Sequence, residues 1–354
     1  MFEALISRAP YSLPQAEKER VLLQALNELT LYHQEHCPPY ARILDAMWGS
    51  RYEAGRVDEV PYLPVAVFKQ LKLISTSAPS TVLRSSGTTG QQQSQIFVDA
   101  ETSARQSRAL VDTLKPVLGD KRLPFLIIDT KQVISDITML TARGAGVLGL
   151  LKFGAKATFA LDEHLDVNKD SVRAFLTANG ASRFLIFGFT FLVWSKLVAS
   201  FKDGVLDLSN AILIHSGGWK KLETEKVSNQ EFRAALARKF GLTQVYNFYG
   251  MVEQIGSIFL EGADGNLYPA NFADVIIRDE RTWEPLGPGQ VGILQVVSAL
   301  PRSYPGHSVL TDDRAEIVTV DAGVGGRMGK AIRVYGRLPK AELRGCSDVI
   351  AAMA

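Results

Sequence analysis

Cysteine is nearly absent from this chain: the 354 residues hold two, Cys37 and Cys346. They are far apart and free of CxxC or HxxxH spacing, which excludes a disulfide framework and a zinc site of ordinary spacing. A cysteine that acts here acts singly. Long apolar runs are lacking as well, and the most apolar stretch, Phe184 to Trp194, is about half of the roughly 20 residues a helix needs to span a bilayer. No stable membrane span is expected. The N-terminus, MFEALISRAPYSLPQAEKER, has no continuous apolar core behind a basic start, so no secretory signal is expected and the expected location is cytoplasmic. Charge of one sign is also missing: the net charge is +2 and the signs are mixed along the chain. Without a basic stripe to neutralise phosphates, nucleic acid is not expected as a partner. No internal repeat or low-complexity tract interrupts a composition of 46% hydrophobic and 21% charged residues, which is ordinary for one large globular domain or two unequal ones.

What is present reads as a layered α/β protein. From Ser12 to about His36, Val21, Leu22, Ala25, Leu26, Leu29 and Tyr32 follow helical spacing; Ser12 is the expected cap and Pro14 suits the first turn. RVDEVPYLPVAVFKQLKLIS reads as a loop entering a short ordered segment. From about residue 104, helical periodicity alternates with short apolar runs: LPFLIID (Leu123 to Asp129), RFLIF (Arg183 to Phe187), NAILIH (Asn210 to His215) and LTQVYNF (Leu242 to Phe248). Such runs between helices predict strands buried on both faces by crossover helices. Beyond Ala273 the segments shorten and alternate, with turns at EPLGPGQVG and DAGVGGRMG, predicting a β-rich subregion over about 273 to 336.

The sharpest local feature is Leu83-Arg84-Ser85-Ser86-Gly87-Thr88-Thr89-Gly90. Its small residues let backbone amides approach an anion and its hydroxyls donate to phosphate oxygens; on composition alone an ordinary Ser/Thr/Gly surface loop fits equally. A Walker loop fails at Gly329-Lys330, because its first glycine falls on Val324 and Ala331 replaces the Ser/Thr that would hold magnesium. Those glycines read as a hairpin turn. A serine-hydrolase elbow fails too, since Ile214 stands where G-x-S-x-G around Ser216 needs glycine.

Five elements in order give this pattern a family likeness: Ser85-Ser86-Gly87-Thr88-Thr89-Gly90, His215-Ser216-Gly217-Gly218-Trp219, Tyr249-Gly250-Met251-Val252-Glu253, Leu310-Thr311-Asp312-Asp313 and Tyr335-Gly336-Arg337. The chain resembles the adenylate-forming acyl-CoA synthetase and luciferase superfamily. The resemblance implies, in turn, a phosphate loop; an adenine-packing segment with His215, Gly217 and Gly218; an element in which Tyr249 and Gly250 precede Glu253, which helps hold Mg2+; an aspartate, Asp313, on the ribose; and a Gly-Arg hinge whose Arg337 meets negative charge at the nucleotide. Within the superfamily the chain is similar to LuxE-type acyl-protein synthetases, through Val60-Pro61-Tyr62-Leu63-Pro64-Val65 running to Phe68-Lys69, through HSGGWKK, and through Leu343-Arg344-Gly345-Cys346-Ser347-Asp348. That family implies use of ATP to convert a long-chain fatty acid to acyl-AMP with release of pyrophosphate. It implies transfer of the acyl group to a cysteine near the C-terminus, here Cys346, and delivery to a partner acyl reductase.

The implied fold is α/β, a layered adenylate-forming large domain with a β-rich C-terminal subregion and without the usual mobile C-terminal domain. Its expected parts are an N-terminal helical segment packed on the core (1–80), an α/β nucleotide- and acyl-binding core (81–272), the β-rich subregion (273–338) and a tail carrying Cys346 (339–354). There are departures. Gln91-Gln92-Gln93 follow the phosphate loop where the superfamily commonly has lysine, and Asp312 replaces the glycine of Thr-Gly-Asp. Glu253 reads equally as a helix-start carboxylate, His215 as a satisfied strand-end histidine, and Cys346 as an incidental small hydrophobe. Phe187, Phe189, Phe191 and Trp194 fit an acyl pocket or plain core. Two competing functions stay open: a ligase passing an acyl or aryl group to coenzyme A or a carrier protein, and a catalytically degenerate nucleotide-binding protein.

Overall fold

The computed structural model describes residues 2–85, 93–135, 139–218 and 227–337. In chain order its elements begin with helices α1 (Phe2–Ile6), α2 (Gln15–His36) and α3 (Pro38–Trp48), strand β1 (Leu63–Pro64), helix α4 (Val67–Gln70), strands β2 (Thr81–Arg84) and β3 (Gln95–Val98), and helix α5 (Ala100–Leu118). There follow β4 (Leu123–Thr130), β5 (Met139–Thr141), α6 (Ala142–Leu151), β6 (Gly154–Leu161), α7 (Lys169–Asn179), β7 (Phe184–Phe189), α8 (Thr190–Leu192) leading into a π-helical turn (Val193–Val198), β8 (Ala211–Ser216), α9 (Asn229–Phe240) and β9 (Gln244–Tyr249). The remaining strands are β10 (Phe259–Glu261), β11 (Leu267–Pro269), β12 (Ala273–Arg278), β13 (Val291–Ser298), β14 (Ser308–Val320) and β15 (Lys330–Arg337). The chain divides into two compact units, one formed by Met1–Thr113 with Gly250–Ala354 and the other by Leu114–Tyr249.

The Leu114–Tyr249 unit is a parallel sheet in the order β9-β8-β7-β4-β6. The four runs of the sequence are β4, β7, β8 and β9; β4, β7 and β8 are buried on both faces, as their lack of polar alternation requires, and β9 is half-buried. Leu126, Ile186 and Leu213 have no exposed surface and share one core cluster with Val172 of α7 and Phe232 and Leu236 of α9. Each such side chain contributes about 1.5–3 kcal/mol. The helices carry readable ends: Asn168 accepts from Ser171 N at 2.9 Å, Ser228 and Glu231 form a reciprocal capping box, and Gly241 ends α9 in the left-handed conformation at φ 68°. β6 escaped the sequence reading, because GAKATFAL is largely exposed over its first half and so shows no apolar run.

In the other unit, β12-β13-β14-β15-β11-β10 form an antiparallel sheet, and β1 joins it parallel to β14. The glycines of DAGVGGRMG connect β14 to β15, as a hairpin reading requires. Helix α2 lies on this unit through Leu22, Ala25, Leu26 and Leu29, all buried. Its N-terminus differs from expectation: Ser12 is not the cap. Pro14 takes the cap position with an extended backbone and no side-chain acceptor, and the Asp321 carboxylate accepts from Gln15 N at 2.9 and 3.0 Å. Asp321 also accepts from Gly329 N at 2.8 Å, so one carboxylate closes the β14–β15 turn and caps α2. A full negative charge there also faces the helix dipole.

Beneath α2, Lys18 lies 3.5 Å and Lys330 3.1 Å from Asp274, all three side chains nearly or fully buried. Burial works to raise the Asp274 carboxyl, and the two ammonium groups outweigh it and hold it below the ordinary range. Removing one partner of such a set leaves an uncompensated buried charge, at a cost of about 3–5 kcal/mol.

Farther along α2, His33 and His307 stack at 5.1 Å. His33 Nδ1 meets Ser75 Oγ at 2.8 Å and His307 Nε2 meets Thr30 Oγ1 at 3.0 Å. Burial drives both imidazoles down, His307 to about 3 and His33 well below its ordinary value, with His307, Arg302 and His36 adding to the effect on His33. Two expectations follow from this unit. Asp321→Ala removes a cap at a left-handed residue (φ 54°) and lowers stability by about 1–2 kcal/mol in chemical denaturation; an unchanged midpoint would contradict the cap. Both histidines stay neutral when folded and bind protons when unfolded, so their stability contribution is complete above about pH 6.5 and is lost as pH falls below it, for His307 down to about 3, by up to about 1.4 kcal/mol per pH unit for each. The melting temperature of the wild type should fall across that window, and His307→Gln should flatten the fall.

Candidate functional site

Glu253 sits in a 3-10 turn, Val252–Gln254, with all three residues buried. The turn is fixed by its neighbour: Gln254 Nε2 donates to Gly306 O at 2.8 Å and to Val296 O of β13 at 3.2 Å. Glycine is required at 306, where an added Cβ would fall 2.6 Å from Glu253 O and within 2.3 Å of the Tyr304 ring. Burial pushes the Glu253 carboxyl up, while the Ser94 hydroxyl, its own backbone amide and the charges of Lys69 and Arg337 pull it back. Ser94 belongs to the base of the phosphate-loop candidate. Ser85 and Ser94 face each other across it, with Ser94 N donating to Ser85 Oγ at 2.9 Å and Ser85 N to Ser94 O at 3.2 Å. Ser86, Gly87, Thr88, Thr89 and Gly90 lie outside the described residues.

β14 and β15 bring two further candidates together. Asp313 stands opposite Arg337 in the ladder, with Arg337 Nε 4.0 Å from Asp313 Oδ1. Thr311 Oγ1 donates to Leu294 O at 2.8 Å and accepts from Asp313 N at 3.1 Å, which fixes the backbone that presents Asp313. This unit therefore gathers a desolvated carboxylate, a second carboxylate, an exposed guanidinium and the hydroxyls at the loop base. Among the described residues no three His, Cys, Asp or Glu side chains assemble as a metal cage. Glu253 suits a hard cation shared with a ligand's phosphate oxygens, because Mg2+ is ordinarily held by one or two carboxylates and substrate phosphates rather than by an all-protein cage. An open groove of about 510 Å³ also lies in this unit, lined by Leu23, Val57, Ile276, Leu286 and Lys330 among others. None of the candidate residues faces it.

In the Leu114–Tyr249 unit the candidates lie at the carboxyl ends of parallel strands, where open α/β sheets place their ligands. His215 is the penultimate residue of β8 and is buried. Thr190 Oγ1 donates to Ser216 O at 3.2 Å and lies 2.9 Å from His215 Nδ1, so Nδ1 carries the proton and donates to Thr190. Nε2 is left as a buried acceptor with no hydrogen-bond partner among the described residues. Burial, and then the charge of Arg233, push His215 down to about 3. Phe232 lies 4.7 Å from its ring. Gly217 adopts φ 86°, and a Cβ there would meet the Phe189 ring at 2.9 Å; a Cβ on Gly218 would meet nothing within 4 Å. Tyr249 ends β9 and Gly250, exposed, follows it. Phe187 has no exposed surface, whereas Phe189, Phe191 and Trp194 are half-buried against the core cluster.

Several participants were not legible beforehand. Thr190, Gln254, Tyr304 and Gly306 sit in no motif, and their roles appear only through contacts that are remote in sequence. Asp129 is another: it is buried at the carboxyl end of β4, the strand at which the sheet order reverses, and pairs with Arg143 at 3.0 Å. Its place in LPFLIIDT at the end of an apolar run was the available signal. Cys346 lies outside the described residues. No described helix is long and apolar enough to cross a membrane.

A family model described as "Acyl-protein synthetase, LuxE" matches residues 2–353. A long-chain-fatty-acid–luciferin-component ligase of Vibrio harveyi is 29% identical over 140 residues, which is 38% of this chain and 35% of that protein. The match thus spans about a third of that relative. A protein of the same name from Aliivibrio fischeri is 24% identical over 278 residues, 73% of this chain and 69% of its own length. Among solved structures, an open conformation of 2-hydroxyisobutyryl-CoA ligase in complex with 2-HIB-AMP and CoA superposes with a TM-score of 0.69 over 92% of this chain and 71% of that one, at 15% identity. The fold is that of an adenylate-forming ligase's large domain, an α/β architecture as the sequence resemblance implied.

The hydrogen-bond pattern at His215 makes a spectroscopic prediction. At pH 5, nitrogen-15 NMR should find this imidazole neutral with the proton on Nδ1, and Thr190→Val should mix the tautomers. A cationic His215 at that pH would overturn the assignment.

Proposed function

The chain belongs to the LuxE acyl-protein synthetase family, and on that premise we propose that it activates a carboxylic acid, a long-chain fatty acid, with ATP and passes the acyl group to a thiol, its own Cys346. The observation that carries the reading is the cluster around Glu253: a buried carboxylate under the charges of Arg337 and Lys69, beside the Ser85–Ser94 base of the loop.

In the first half-reaction a carboxylate oxygen of the acid attacks the α-phosphorus in line. The bond from that phosphorus to the bridging oxygen breaks, and pyrophosphate leaves with the electron pair. The work left to the protein is positioning and charge neutralisation. Ser85, with the Ser86–Gly90 segment, grips the phosphates; Asp313 holds ribose hydroxyls; Arg337 meets charge at the nucleotide with its planar fork. Glu253 is the residue that would hold Mg2+, which when bound would supply positive charge to the phosphate oxygens. His215, Gly217, Gly218, Tyr249 and Gly250 receive the adenine, the two glycines leaving space beside its ring. Phe189, Phe191 and Trp194 contact the acyl chain, with Phe187 behind them. The names of the Vibrio harveyi and Aliivibrio fischeri relatives support a long-chain fatty acid.

In the second half-reaction the Cys346 thiolate attacks the acyl carbonyl, the bond to AMP breaks, and a thioester forms as AMP departs; the thiol proton goes to solvent. Arg344 favours the thiolate, and Gly345 allows close approach. A partner acyl reductase would then take the acyl group. Transfer to coenzyme A or a carrier protein is the second reading, and the glycine-lined thiol sequence favours Cys346 over it.

Acid-dependent exchange of labelled pyrophosphate into ATP, measured over fatty and aromatic acids of graded length, is expected to peak with a long-chain fatty acid and to fall at least 100-fold in Glu253→Gln. Absence of exchange with every acid would sink the adenylation reading and leave a nucleotide-binding protein. Intact-mass spectrometry after ATP and the best acid should show one acyl adduct on Cys346, lost in Cys346→Ser while exchange persists. Efficient exchange with an unmodified cysteine would assign the acceptor to coenzyme A or a carrier protein.

A further inference from the structure

The phosphate-loop candidate is followed by Gln91-Gln92-Gln93 and offers no lysine, yet a lysine reaches the Glu253 cluster from another element of the same unit. β1 pairs parallel with β14, Leu63 opposite Val309 and Pro64 opposite Leu310, and Val65 N donates to Leu310 O at 2.8 Å. This pairing fixes the chain beside the residue that precedes Thr311-Asp312-Asp313. α4 starts two residues after Val65, anchored by Val67 and Phe68, each 1% exposed. The helix packs against β3, the strand that follows Ser94, and Lys72 Nζ, just beyond it, stands 5.3 Å over the Phe97 ring of β3.

Lys69 is thereby held half-buried, within electrostatic reach of the Glu253 carboxylate. Its side chain makes no hydrogen bond or ion pair with any described residue. Among the described residues the buried and the other half-buried lysines are paired: Lys18 and Lys330 with Asp274, Lys196 with Asp166, Lys239 with Asp203 and two carbonyls. A half-buried lysine within electrostatic reach of a carboxylate it does not bridge is placed to pair with a negative ligand when one arrives.

We infer that Lys69 pairs with the polyphosphate of ATP and supplies the positive charge that the loop itself lacks. The inference rests on the ATP-dependent reading above and adds to it a residue on the leaving pyrophosphate. A cation at that place strengthens its contact as charge builds on the departing oxygens.

Calorimetric titration of the full chain with ATP and with AMP, each with magnesium, tests it. Lys69→Met should weaken ATP at least tenfold and leave AMP within twofold, since AMP lacks the phosphates concerned; Lys69→Arg should recover most of the ATP affinity. Thermal midpoints should match the wild type in both variants. Unchanged ATP affinity in Lys69→Met, an equal loss for AMP, or a drop in thermal midpoint that accounts for the loss would each overturn the inference. Should the wild type bind ATP without acid-dependent exchange, the adenylation reading fails on its own, and the ATP-against-AMP comparison still decides the role of Lys69.

Discussion

The groups that converge on Glu253 depend on the backbone hydrogen bonding of one strand, β14. Its first residues have β13 on one side and β1 on the other; farther on, β15 takes the place of β1. The first neighbour brings in the Val65–Lys69 segment, and the second sets Arg337 opposite Asp313. Just before β14, Gly306 O receives the amide of Gln254 and so seats the turn that carries Glu253. A one-residue slip in β14 would turn Asp313 to the other face and unseat the Arg337 pairing. The Thr311 hydroxyl, bonded to both Leu294 O and Asp313 N, and the Asp321 carboxylate at the far end of the strand hold the register against such a slip.

Desolvation does the chemical tuning. It raises the Glu253 carboxyl and lowers the His215 imidazole, in each case by disfavouring the charged form. The consequences differ. The charged form of Glu253 is disfavoured by burial and partly restored by the Lys69 and Arg337 charges, while His215 is fixed as a neutral acceptor whose tautomer Thr190 dictates. Perturbed groups of this kind gather at functional sites, although the buried His33–His307 stack is also shifted downward by burial and lies within the packing under α2. Burial alone does not separate the two cases. Their surroundings do: His33 and His307 face Thr30, Ser75 and the Pro301 carbonyl, whereas His215 occupies a strand end followed by Gly217 and Gly218.

Much of the fold was legible because parallel strands covered on both faces cannot hide their composition. LPFLIID, RFLIF and NAILIH are strands for that reason, LTQVYNF is a strand of mixed composition that is only half-buried, and β6, half exposed at the end of its sheet order, was missed because it shows no apolar run. The helix over 15–36 was legible from its spacing, and its cap was not: Ser12 was the local candidate, and Asp321, 306 residues beyond Gln15, provides the carboxylate. Local rules rank nearby acceptors only.

By itself the sequence determined the α/β class, the ordered glycine, hydroxyl and acidic motifs with their family, and the identities of Glu253, Asp313 and Arg337 as candidates, since each of these is written in residue type and spacing. Tertiary structure alone decided that Glu253 is desolvated and seated by Gln254 and Gly306, that Asp313 rather than Asp312 stands opposite Arg337, that His215 is neutral with its proton on Nδ1, and that Lys69 reaches the cluster. These facts depend on backbone pairings and burial between segments far apart in the chain, and the free energy of a charge depends on those surroundings rather than on its neighbours in sequence.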